Sequence, residues 1–541
     1  MQVKGKIVDI INRVIFNGIV SVENSKIVRI EKVEQEFRNY ILPGLIDAHV
    51  HIESSMLTPT QFSKLIVPRG TVAVVSDPHE IANVLGVKGV EYMIEDATKT
   101  PLKCFFGAPS CVPATSFETS GAFISSEQIR ELLDRDDIYF LSEMMNFPGV
   151  VNKDKEVWNK IEAAHKVGKK VDGHAPGLVG EDLLKYTQAG ITSDHECVTV
   201  NEAVDKIKQG VVVQIREGSA AKNFDNLYNL LQTHPDDVML CTDDSHPDEI
   251  IKKGHIDKII RLGIAKGIDI FNLLRSAILK PILHYGLPVG LLREGDSADF
   301  IMVDNLTDFN ITDTYIDGKH LYKNEELQFE VPYSKPINNF NISSIDKKDI
   351  QVPFVEGKNI RVIEAVDGDL LTSEFIWSAK NIDGQIQSDI DNDILKIVVV
   401  NRYKTAPPVV GFIKKIGLKQ GAIACSVAHD SHNLIAVGVS DSDITTALNE
   451  IIKHKGGIAC VNGNNIDCLP LEVAGLMTGK DGNLVAEKYQ DLNKMAQGLG
   501  TKLHAPFMTL SFMSLLVIPQ IKIGDKGLFD VNSFSFTSLY V

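Results

Sequence analysis

The stretch Pro43-Gly44-Leu45-Ile46-Asp47-Ala48-His49-Val50-His51 runs an apolar strand into two histidines spaced i and i+2. Alternate residues of a strand point to one face, so His49 and His51 can grip one metal ion at the strand's exit. For an arbitrary His-x-His, two polar residues at a strand end is the commoner explanation. Here further candidate ligands follow at regular intervals, each at the end of an apolar run.

Working outward, strand-like runs fall at 41–48, 71–76, 103–108, 138–142, 169–173, 191–193, 211–215 and 238–241. Most are separated by helix-like segments, at 81–97, 126–133, 155–167, 181–189 and 201–208. This alternation predicts an α/β fold and fits a (β/α)8 barrel, although a doubly wound open sheet has the same rhythm. The fourth run ends in Leu141-Ser142-Glu143, the fifth in Asp172-Gly173-His174, the sixth in Ser193-Asp194-His195-Glu196 and the eighth in Cys241-Thr242-Asp243-Asp244. In a barrel these ends converge on the face where active sites form. His49, His51, Glu143, His174, His195 and Asp243 would make a mixed nitrogen and oxygen site, which suits zinc, manganese or iron(II) better than calcium.

Residues 1–42 read as short strands and turns, and similar material returns at 286–330, so the two pieces are expected to form one small discontinuous β-sandwich domain. The barrel (43–285) would be inserted in it. Residues 340–541 read as a separate C-terminal α+β domain, with the Pro- and Asn-rich segment 331–342 as linker. The length of 541 residues fits two or three domains. A net charge of −16 argues against a nucleic-acid partner. The N-terminal residues carry no secretory pattern, and the apolar stretch 507–518 is too short to span a bilayer, so a membrane location is not expected. Seven cysteines without a CxxC pair predict reduced thiols and a cytoplasmic protein.

The stretch Pro43 to His51 resembles the opening motif of the amidohydrolase superfamily. Gly290-Leu291-Leu292-Arg293-Glu294-Gly295-Asp296-Ser297-Ala298-Asp299-Phe300 resembles its closing motif. Four longer stretches resemble the adenine deaminase family: His51-Ile52-Glu53-Ser54-Ser55, Ser76-Asp77-Pro78-His79-Glu80, Asp172-Gly173-His174-Ala175-Pro176-Gly177 and Cys241-Thr242-Asp243-Asp244. In the C-terminal third, Ala428-His429-Asp430-Ser431-His432-Asn433 does the same. The resemblance implies hydrolytic deamination of adenine to hypoxanthine and ammonia in purine salvage, by a homodimer. It also implies two divalent ions, manganese or iron(II), with zinc as the other fit. His49 and His51 would hold one ion and His174 and His195 the other. Glu143 would bridge them, where dihydroorotase-like relatives use a carboxylated lysine; residues 139–145 contain no lysine. Asp243 would bind a metal and take a proton from the attacking water, with Glu143 or Glu80 as alternative shuttles. Single-metal barrel deaminases carry a glutamate three residues after the strand-five histidine, and here that position is Gly177. The PCxxC of cytidine-type deaminases does not occur.

Asp244, Arg216 and Ser219 are candidate substrate contacts, although an exposed Arg216-Glu217 pair is the commoner reading of those two. His429, Asp430 and His432 are read first as surface polar groups; the resemblance offers reaching the barrel mouth or binding an additional ion as the alternatives. The runner-up activities are an N-acetylglucosamine-6-phosphate deacetylase or a cyclic-amide hydrolase. A non-catalytic barrel is disfavoured because every expected ligand position is filled.

Overall fold

The computed structural model describes residues 1–219, 221–367 and 370–541. It divides into two compact units. One comprises Met1–Pro78, Val90–Cys111 and Ile124–Ser334; the other comprises His79–Gly89, Val112–Phe123 and Lys335–Val541.

In the first unit eight parallel strands follow one another in sheet order as they do in sequence. They are β1 (Leu45–Val50), β2 (Thr71–Ser76), β3 (Lys103–Ala108), β4 (Ile138–Met144), β5 (Lys170–Gly173), β6 (Ile191–Asp194), β7 (Val212–Arg216) and β8 (Val238–Cys241). A parallel bridge between Val50 and Asp243 joins the two ends. The Asp243 N–H donates to the His49 carbonyl (3.0 Å) and the His51 N–H donates to the Asp243 carbonyl (3.1 Å). That bridge decides between barrel and open sheet. Every residue of β1, β2, β7 and β8 is buried, as parallel strands covered on both faces require.

A second sheet of the same unit joins the two chain segments expected to pair. Phe300–Val303 runs antiparallel to Tyr40–Pro43, which in turn lies parallel to Gln2–Asp9. Eight strands are hydrogen-bonded in this one continuous sheet. Val3, Ile7, Val20, Ile27, Ile41 and Phe300 form its apolar core.

The second unit is built on a mixed eight-stranded sheet with Ile394–Val400 and Leu434–Gly438 near its centre. Helix Asp441–His454, capped by the Ser440 side chain, buries Ile444, Ala447, Leu448 and Ile451 in the apolar core that this sheet forms. The unit also includes residues 79–89 and 112–123, so it draws on more chain than the C-terminal segment 340–541. The single helix expected over 81–97 is two helices, His79–Leu85 and Val87–Ala97. Gly86 separates them at φ +63°, a left-handed conformation that glycine adopts without a Cβ clash.

Candidate metal centre

The strand ends of the barrel deliver the six expected side chains to one place. β1 exits through His49 and His51, both buried. β4 brings Glu143, and His174 and His195 follow β5 and β6. Asp243 lies just beyond β8 at φ +58°, the left-handed conformation in which it makes the bridge to Val50. Glu143 reaches across the cluster: Oε1 lies 3.3 Å from His51 Nε2, and Oε2 lies 2.7 Å from His174 Nδ1 and 3.2 Å from His195 Nε2. Asp243 Oδ1 lies 3.5 Å from His49 Nε2 and 3.3 Å from His51 Nε2. The ligand atoms of His49, His195 and Asp243 lie within 4.8 Å of one another, as do those of Glu143, His174 and His195.

Buried polar side chains beneath the cluster hold these ends in place. Asp47, one step inward on β1, pairs with His255 (3.0 Å) and accepts from the Thr242 N–H (3.0 Å). Asp172 accepts from Ser193 (2.7 Å) and Tyr285 (2.8 Å). The fully buried Lys206 donates to the Ala175 carbonyl (2.7 Å) and pairs with Asp194 and Glu202, each at 3.1 Å, which fixes the turn after His174. His255 and Lys206 are thus packing residues.

Electrostatics tie the group together. Burial alone would raise the Glu143 carboxyl, but the fields of His174 and His195 and their hydrogen bonds carry it well below the carboxylate range. Burial opposes charge on His174 as well, yet Glu196 and Glu143 lift it to about 9. The Arg216 guanidinium and hydrogen bonds from His49 and His51 overcome burial at Asp243 and hold it well below the usual range. The cluster thus holds three buried carboxylates, Glu143, Glu196 and Asp243, and one permanently charged cation, Arg216, which pairs with the last two. His49 Nδ1 and His195 Nδ1 have no hydrogen-bond partner among the described residues. Buried nitrogens left without partners, beside an excess of carboxylate, fit bound cations and are costly without them.

Residues 40–321 match the amidohydrolase family, and 369–535 match the adenine deaminase C-terminal domain. An adenine deaminase of Methanosarcina barkeri is 55% identical, with 99% of each chain covered. One from Parabacteroides distasonis is 47% identical over 100% of this chain and 99% of its own. One from Salinibacter ruber is 48% identical with the same coverage.

The chain belongs to the adenine deaminase family. Membership in this family of amidohydrolases implies a divalent metal site, and the barrel cluster gathers side chains that could hold a metal ion. No helix among the described residues is long and apolar enough to cross a membrane, and all seven cysteines are unpaired.

Two expectations need correction for this adenine deaminase family member. Arg216 is not half of an exposed Arg-Glu pair. It is buried and forks onto Glu196, with Nη2 donating to Oε2 at 3.0 Å, while Nη1 donates to Asp243 Oδ2 at 2.7 Å. Glu217 lies instead near Lys258 (3.9 Å) and Lys222 (4.0 Å). Glu196 was visible in the sequence beside His195, but only the fold shows it as the counter-ion of Arg216. Second, His429, Asp430 and His432 are buried, not surface groups. Within the second unit His429 Nδ1 lies 2.7 Å from Glu80 Oε1, and His432 Nε2 contacts Glu80 Oε2. Burial would raise the Glu80 carboxyl, but the two histidines hold it well below its usual range, and burial keeps His432 down at about 4. Of the other predicted residues, Asp244 is half-buried and accepts from Ser54. Ser219 donates to Glu249 (3.2 Å) and accepts from the His246 N–H (2.9 Å), so it braces the loop after β8.

Proposed function

We propose that this chain deaminates adenine to hypoxanthine and ammonia, serves purine salvage in the cytoplasm, and works as a homodimer without a nucleic-acid partner. Full-length similarity to adenine deaminases supports the substrate. The observation that carries the chemistry is Glu143, whose two oxygens face different histidines of one buried cluster.

His49, His51 and Asp243 would hold one divalent ion and His174 and His195 a second, with Glu143 shared. Manganese or iron(II) suits this nitrogen and oxygen set, and zinc fits it too. The ions supply Lewis acidity that makes hydroxide available from water near neutral pH. Asp243 acts as the base. Its Oδ2 is engaged by Arg216, so Oδ1 takes the proton from the water that attacks C6 and returns it to the departing amino nitrogen. Adenine and water are consumed; hypoxanthine and ammonia leave. Glu143 and Glu80 are the weaker shuttle candidates, because each has an oxygen held by a histidine at 2.7 Å, whereas the histidines lie 3.3–3.5 Å from Asp243 Oδ1. Asp244 accepts a hydrogen bond from a ring N–H and orients the base. Arg216 and Ser219 act through neighbours: the first holds Asp243 and Glu196, the second shapes the loop carrying Asp244.

Product analysis tests the substrate. The metallated protein is offered adenine, N-acetylglucosamine 6-phosphate and a cyclic amide in parallel. Hypoxanthine from adenine alone is expected. Acetate or a ring-opened product with no hypoxanthine would replace this reading with one of the other amidohydrolase activities.

A further inference from the structure

We infer that Glu80, His429 and His432 bind a divalent transition-metal ion, with a ligand set that shares no residue with the barrel cluster. All three side chains are buried. Their donor atoms lie within 4.8 Å of one another. Two imidazole nitrogens and one carboxylate are a donor set used by zinc and by iron(II), and they leave further coordination positions open. His79 stands beside the same carboxylate, with Nε2 3.6 Å from Glu80 Oε1.

The surroundings hold the cluster in shape. The His429 ring stacks on Phe512 (centroids 4.6 Å apart, planes at 12°), and the His429 backbone N–H donates to the Ser511 carbonyl at 3.1 Å. The loop through 431–433 is held by Tyr403, whose hydroxyl donates to the Ser431 carbonyl at 2.6 Å, and by Asn433, which donates to the Thr119 carbonyl at 2.9 Å. His432 takes a left-handed backbone, φ +53°, a conformation uncommon outside glycine. Its N–H donates to the Ala428 carbonyl at 2.7 Å in that turn. Residues held this way cluster at ligand sites, where the surroundings outweigh the local cost. An ordinary buried ion pair needs one histidine per carboxylate. Here two converge on one glutamate, and His432 Nδ1 is left without a hydrogen-bond partner among the described residues.

Metal counting on the full chain tests this. Protein stripped with a chelator is reloaded with manganese or zinc, desalted and assayed for metal per chain by mass spectrometry. Three proteins are compared: the wild type, a His49→Gln/His195→Gln variant and a His429→Gln/His432→Gln variant. The barrel variant is expected to retain about one ion per chain, and the second variant to hold about one fewer than wild type with unchanged circular dichroism. A barrel variant that binds no ion overturns the inference, as does a folded His429→Gln/His432→Gln variant with the wild-type count. Should that second variant not fold, the count on the barrel variant decides alone. A metal-free barrel variant beside a fully loaded wild type would leave the barrel site standing and remove only this one.

Discussion

At the scale of single residues, function is concentrated in groups that are buried, charged and paired. Asp243 is the sharpest case. It closes the barrel through its backbone, faces two histidines through Oδ1 and accepts from Arg216 through Oδ2. Asp243→Asn keeps the shape and removes the base, so kcat should fall by about 10²–10⁴-fold. Steady-state kinetics on protein with verified metal content checks it; a loss under tenfold would move the proton transfer elsewhere. Arg216 makes a different prediction, because it neutralises Glu196 and Asp243 in a buried setting. Arg216→Met would leave two carboxylates without their cation and should cost about 3–5 kcal/mol of stability. A urea midpoint equal to wild type would show that the ions alone balance those charges.

At the scale of elements, strand ends and their supports set the geometry. Asp172 on β5 is fully buried and held by two hydroxyls, and burial lifts its carboxyl to about 6. The unfolded chain titrates it near 3.9. Between these values the folded state keeps a proton that the unfolded state has lost, so this group's contribution to stability falls as pH rises from about 4 to about 6 and then levels off. Asp172→Asn should remove that slope and gain on the order of 2 kcal/mol relative to wild type at pH 7. Urea midpoints for both proteins across this range would show it; parallel pH profiles would contradict it. Gly86 makes the break between helices at positive φ, and a Cβ there would meet the Ala122 Cβ at 3.1 Å. Gly86→Ala should therefore destabilise by about 1 kcal/mol or more.

Element positions were legible because the barrel strands are short, apolar and bounded by polar punctuation. Three of the expected runs, 71–76, 103–108 and 238–241, coincide with β2, β3 and β8. The break at Gly86 was not, since an isolated glycine in a helical pattern is often tolerated. Helix Gly482–Gly498 carries a buried stripe of Val485, Ala486, Tyr489, Leu492 and Ala496, a periodicity present in the sequence that a coarse reading of the C-terminal third passes over. The candidate ligands were legible because each follows an apolar run. What joins Arg216 to Glu196, or Glu80 to His429 and His432, was not. Those partners are 20 and about 350 residues apart in sequence, and only tertiary structure brings such pairs together.

At the scale of the whole molecule, the buried carboxylates and partnerless imidazole nitrogens of the barrel imply that metal binding and folding are linked. Chelation should lower the thermal midpoint, and manganese or iron(II) should restore it in a concentration-dependent way. An unchanged midpoint would mean that the apo cluster is balanced by its own protons. The most direct test of the central claim is ammonia release from adenine by the full chain, measured before chelation, after it, and after stepwise return of metal with the bound ions counted. The account predicts that activity disappears on chelation and returns as the barrel site fills. Ammonia release that persists in metal-free protein, or none from fully loaded protein, would contradict it.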